Sequence, residues 1–231
     1  MATPRKPSNP DPRAARLLEW IGAQPWAGRI VLGGAFALKH YLDYRTTRDC
    51  DAWWDRAATR DERRSIVAEI RGALAQLNPG AEILAENWGD VDSLKVIVDG
   101  NAVFSFQIAD RAVQMEPYLE SGWGGVRIET LRDNLGSKMC ALVERGAPRD
   151  FRDIHEAAQR LGWTPSDLWE LWQRKNPDRS VADAAHLVRI HLEGLAARRP
   201  LPSIPDPGER ERAALVRAWF FDQLLTHGRR D

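Results

Sequence analysis

The chain is short of cysteine, of long apolar runs, and of any excess of one charge. Its two cysteines, Cys50 and Cys140, stand alone in the sequence. That spacing forms neither a zinc motif nor a disulfide scaffold, and a reducing cytoplasm is the simplest compartment for it. No apolar stretch reaches the length of a membrane span, so no membrane partner is expected. Lys and Arg total 33 and Asp and Glu total 33 in 231 residues, a formal net charge of zero. A protein that holds nucleic acid by bulk charge is thereby disfavoured, although a local basic groove is not. The opening residues MATPRKPSNPDPR carry proline and charge with no apolar core behind them, which is not the pattern of a secretory signal.

What is present is the composition of an ordinary globular protein, 43% hydrophobic and 29% charged. The length suits one large domain or two small ones. Ten tryptophans are many for this size and are expected as core or interface anchors. Residues 1–11 are rich in proline and polar groups and are expected to be disordered. Residues 12–23 read as a helix with Leu17, Leu18 and Ile21 on one face.

The stretch from Ile30 to Trp54 is the most informative. An apolar run, Ile30-Val31-Leu32, ends in Gly33-Gly34, and a helix is expected from Ala35 to Leu42. Its first-turn N–H groups, with two glycines before them, would let phosphates approach the backbone. Lys39 and His40 on this helix are expected to face solvent. The turn Arg45-Thr46-Thr47-Arg48 then leads into a strand from Arg48 to Trp54 that carries Asp49 and Asp51. Carboxylates two apart on a strand share a face, roughly 7 Å apart along the backbone. They repel unless something compensates, and a metal ion is the simplest compensation. Without it they would be two solvated acids at a strand end.

The ordered combination of Gly33, Gly34, Ala37, Leu38, Arg45, Thr47, Asp49 and Asp51 resembles the opening motif of the nucleotidyltransferase fold. The variant is most similar to the AbiEii/AbiGii toxin group, which includes the MenT toxins. The resemblance implies an α/β (α+β) fold, a small mixed sheet with flanking helices followed by a helical C-terminal domain. It implies Mg²⁺ held by Asp49 and Asp51, and a nucleotide site formed by Gly33, Gly34, Arg45 and Thr47.

Beyond this motif the pattern turns strand-like. A helix to about Leu77 is stopped by Asn78-Pro79-Gly80. Strands follow at residues 81–86, 93–98 and 102–109, the last two joined by the turn Asp99-Gly100-Asn101, and a short one at 126–129. Family members commonly carry a third acid on a later strand, and Gln107 stands on the polar face of 102–109 instead. A helix is read over 131–146 and another from Pro148 to about Leu161. Lys138, Arg145, Arg149, Asp150 and Asp153 resemble the second signature of the same toxin group. Lys138 is then both a nucleotide-binding and a catalytic residue, steadying the triphosphate as a point cation. Asp150 or Asp153 would orient it, complete a metal shell or accept a proton. Read in isolation, Arg149–Asp153 and Arg152–Glu156 are surface helical pairs.

The remainder reads as helical. Thr164-Pro165-Ser166-Asp167 starts one helix and Ser180 another. Residues 199–208 form a proline-rich linker before a last helix over about 209–226. The expected domains are 12–130, nucleotidyltransferase-like, and 131–231, helical with the linker placed at 198–208, with the active cleft between them. The implied function is transfer of a nucleotidyl group from an NTP to an acceptor hydroxyl. By resemblance the acceptor is a tRNA end and the protein a toxin with a cognate antitoxin. A binding protein without turnover and a small-molecule (antibiotic) nucleotidyltransferase remain alternatives. A basic groove near Asp49 would favour RNA, and an acidic pocket an aminoglycoside-like cation.

Overall fold

A computed structural model describes residues 2–111 and 113–228. The chain divides into two compact units, 1–134 and 135–231. No helix among the described residues is long and apolar enough to cross a membrane.

The first unit is built on a mixed sheet of seven strands among the described residues. They are β1 (Ile30–Leu32), β2 (Asp49–Trp54), β3 (Glu82–Trp88), β4 (Val91–Val98), β5 (Asn101–Ala109), β6 (Leu119–Glu120) and β7 (Arg127–Ile128). Their order is β3-β4-β5-β2-β1-β7-β6. β2 runs antiparallel to β1 and parallel to β5, so it lies inside the sheet with both edges paired. Helices α1 (Pro12–Gly22) and α3 (Arg60–Leu77) cover one face. Leu17, Leu18 and Ile21 of α1 and Ile66, Ile70 and Leu74 of α3 are buried there with Cys50, Ala52 and Trp54 of β2 and Phe104, Phe106 and Ile108 of β5. Thr59 and Glu62 close a capping box at the start of α3. The opposite face of β2 carries Asp49, Asp51 and Trp53.

The helix after the glycines, α2 (Gly34–Lys39), has six residues and is shorter than the sequence suggested. Lys39 and His40 are not solvent-facing: both are buried. The N-terminal segment is the cause. Residues 2–10 form no helix or strand, yet Arg5 N–H donates to the His40 carbonyl at 2.8 Å and Lys39 Nζ donates to the Asn9 carbonyl at 3.2 Å. Lys39 also pairs with Asp43 at 3.2 Å. Trp123 Nε1–H donates to His40 Nε2 at 2.9 Å, so Nδ1 carries the proton shared with the Phe36 carbonyl at 3.0 Å.

Burial pushes the His40 imidazole down from 6.5 to about 4. An unfolded chain therefore takes up a proton near pH 6.5 that the folded chain takes up only near 4. Stability present above 6.5 is lost as pH falls through that window, by about 3 kcal/mol for this group. Urea unfolding between pH 7 and pH 4 should show wild type losing that much more than His40→Gln. Parallel curves would contradict it.

The second unit holds α5 (Pro148–Leu161), α6 (Pro165–Lys175), α7 (Val181–Arg198) and α8 (Pro207–Trp219), and the unit boundary falls within α4 (Leu131–Glu144). Phe220–Leu224 is a π-helical turn, whose Leu224 carbonyl accepts from Trp169 Nε1 at 3.0 Å. Phe151 meets Phe220 edge to face with centroids 4.9 Å apart. The stretch expected as a proline-rich linker is folded locally. Leu201–Ser203 makes a 3₁₀ turn, Ile204 is buried, and Arg210 donates twice to the Ile204 carbonyl.

Candidate active site

Period-two alternation sets the site's strand. Cys50, Ala52 and Trp54 enter the core, so Asp49, Asp51 and Trp53 share the other face of β2. Burial, and then the charges of Asp51 and Asp49, hold the Cys50 thiol well above its ordinary range. It stays protonated and faces away from the acids.

In the parallel ladder Asp49 lies opposite Ser105 and Asp51 opposite Gln107. Ser105 Oγ donates to Asp49 Oδ1 at 2.7 Å. The expected third position on β5 is therefore an amide, as the sequence indicated. Among the described residues no group of three His, Cys, Asp or Glu side chains is arranged to hold a metal ion. The two aspartates are a partial donor set: hard oxygen ligands on one face, suited to Mg²⁺ with water and phosphate oxygens completing its shell.

The glycines are there because of close approach. Gly34 has φ of 58°, the left-handed region, and a Cβ there would land on the Asp51 carboxylate. A Cβ on Gly33 would enter the Trp53 indole. The turn and the acid strand are thus packed backbone against side chain, and Gly33 N–H donates to the Asp51 carbonyl at 2.9 Å.

Thr47 has a local task. Its Oγ1 accepts from Asp49 N–H and donates to the Asp49 carbonyl, both at 3.2 Å, fixing the start of β2. Arg45 Nε donates to the Tyr44 hydroxyl at 3.1 Å. Arg45 and Thr47 line a cavity of about 460 Å³ beside Asp49, with Arg48, Lys95, Ser105 and Gln107. Three cations and one acid line it. Lys95 also pairs with Glu86 at 2.5 Å, over the ring of Trp88.

Four residues of this unit carry no motif and escaped the sequence reading. Glu129, Asp133 and Asn134 are fully buried. Arg111 Nη2 bridges Glu129 at 2.8 Å and Asp133 at 2.6 Å. Asp133 also accepts from the backbone N–H groups of Met115 and Glu116 at 3.0 Å. Each reads as an ordinary surface polar residue locally, and no sequence signal marked them.

The second unit holds the other signature. Lys138 on α4 and Asp153 on α5 form an ion pair at 2.7 Å, with side chains 7% and 0% exposed. Asp150 is equally buried and takes Arg145 in a two-point contact, at 2.9 and 3.0 Å. It also accepts from Ala147 N–H at 3.2 Å, so it doubles as the cap of α5. The Asp153 carboxylate closes on Lys138, and Glu156 on Arg160 at 2.6 Å.

A glycine turn laid against a strand with two same-face carboxylates suits a nucleotidyltransferase. Comparison with protein families fixes this further. Residues 16–225 match the family described as the nucleotidyl transferase AbiEii toxin of type IV toxin–antitoxin systems, and the chain belongs to that family. It is accordingly an enzyme, a nucleotidyltransferase of the toxin class. A search of curated proteins returns no match.

Proposed function

We propose that this toxin moves a nucleotidyl group from an NTP onto the terminal hydroxyl of an RNA, a tRNA end being the acceptor that the family resemblance implies. The acceptor hydroxyl oxygen attacks the α-phosphorus and releases its proton to solvent, the bond to the bridging oxygen breaks, and pyrophosphate leaves. Asp49 and Asp51 are the residues that would hold Mg²⁺, which when bound supplies positive charge to the α-phosphate and the leaving pyrophosphate. Ser105 steadies Asp49 by its hydrogen bond. Gly33 and Gly34, which make room for the Trp53 indole and the Asp51 carboxylate, form the turn that would receive the triphosphate at its peptide groups. Lys138 is the point cation for the leaving phosphates, and Asp153, in contact with it, is the acid that orients it. Asp150, committed to Arg145 and the start of α5, serves the frame. Growth inhibition in the cytoplasm and release from it by a cognate antitoxin complete the reading.

The observation that carries the choice of acceptor is the cavity beside Asp49. Its lining of Arg45 and Arg48, with Lys95 shared with Glu86, favours a phosphate backbone over an aminoglycoside-like cation. Arg48 is exposed at its rim. Arg48→Glu should raise the KM for RNA about tenfold and flatten the dependence of log KM on log salt by about one unit. Its KM for NTP should hold. An unchanged RNA KM and salt slope would remove the cavity from acceptor binding.

A further inference from the structure

The Gly33–Gly34 turn is held from below by a polar chain that no motif records. Asn134 Nδ2 donates to the Gly34 carbonyl at 2.8 Å and to Glu129 Oε1 at 2.6 Å. Glu129 Oε2 accepts from Trp53 Nε1 at 3.1 Å, and Trp53 is the same-face neighbour of Asp51 on β2. Glu129 is itself fixed at its backbone. Its N–H donates to the Leu32 carbonyl at 3.1 Å, and its own carbonyl accepts from the Tyr41 hydroxyl at 2.7 Å. Glu129 thus ties β1 through its backbone, and the acid strand and, through Asn134, the glycine turn through its carboxylate.

We infer that Glu129 and Asn134 are positioning residues for the nucleotide site, holding Gly34 and the Asp51 strand at their mutual distance. The inference rests on the assignment of Gly34 and Asp51 to that site. The chemistry is specific. Gly34 has no side chain and a left-handed backbone, so its position is set only by what its peptide groups bond and what its Cα touches. Asn134 grips the carbonyl, and the Asp51 carboxylate abuts the Cα side. A carboxylate is needed at 129 because donors reach it from three sides: Trp53, Arg111 and Asn134. A glutamine would satisfy the first two with its oxygen and turn an amide N–H₂ toward the Asn134 amide, donor against donor.

The test compares wild type with Glu129→Gln and Asn134→Leu as full-length chains. Native-state hydrogen exchange is followed residue by residue, and steady-state kinetics are run with NTP and Mg²⁺. The expected result is exchange about tenfold faster at the amides of residues 33–37 with the β5 amides unchanged. The KM for NTP should rise about tenfold, as for other outer-shell partners, with a smaller change in kcat. Exchange rising equally across β5 and the turn, or staying at wild-type rates in the turn, would overturn the inference. Either folded variant decides it. If the wild type transfers no nucleotide, the functional reading fails on its own, and the exchange measurement still decides the positioning role.

Discussion

Asp51→Asn should lower nucleotidyl transfer by about a thousandfold or more while leaving the protein folded. Asparagine keeps the outline of aspartate, so the contact with Gly34 survives and only charge is lost. The effect is large because the site has no spare acid. Gln107 stands across the ladder from Asp51, and among the described residues no third His, Cys, Asp or Glu joins the two aspartates. One carboxylate of Asp49 alone would hold the ion weakly. Thermal unfolding should shift by only a few degrees, so that the lost rate is not a lost fold. Initial rates and Tm on the same preparation give both halves of the result. A variant within tenfold of wild type in rate would remove Asp51 from the metal site.

Lys138→Met should be severe for a different reason. It leaves Asp153 buried beside an apolar side chain where its cation stood. Removing one partner of a buried pair costs about 3–5 kcal/mol, a large share of the roughly 5–15 kcal/mol that holds a typical domain together. Replacing both partners removes that penalty. Lys138→Met with Asp153→Leu should regain most of the urea midpoint lost by the single variant, because the two charges of the buried pair are removed together. It should regain no transfer activity, because the cation for the leaving phosphates is gone. An active double variant would show that Lys138 only supports the packing of α4 on α5. A single variant as stable as wild type would show that the pair supports little.

The parts of the site that the sequence discloses are those fixed by local rules. Period two puts Asp49 and Asp51 on one face and Cys50 in the core, and the structure has them so. Paired glycines after a short apolar run announce a close approach, and the structure supplies the Asp51 carboxylate and Trp53 indole as what is approached. The mixed sheet with flanking helices and the membership of the AbiEii family are likewise as expected. The family's enzymatic class displaces the alternative of a binding protein without turnover.

What depends on distant partners was not legible. Lys39 and His40 look solvent-facing on a helix pattern, but the N-terminal segment and Trp123 cover them. Glu129 and Asn134 gain meaning only when β7 comes to lie beside β1, which brings Asn134 to a glycine 100 positions away. Asp150 and Asp153 are indistinguishable as neighbouring acids in a helix. The geometry separates them, one capping α5 with Arg145 and the other meeting Lys138. The proline-rich stretch before α8 reads as a linker from its composition. A 3₁₀ turn accommodates it, and the apolar Ile204 within it is buried.

The most direct measurement follows two labels through one reaction. NTP labelled at the α-phosphate, or separately at the γ-phosphate, is incubated with the protein, Mg²⁺ and total RNA. Nucleotidyl transfer carries the α label into RNA and leaves the γ label in pyrophosphate, and chelation of the metal stops it. Gamma label entering RNA would mean phosphoryl transfer instead. Alpha label that enters no RNA at all would contradict the account of the acceptor.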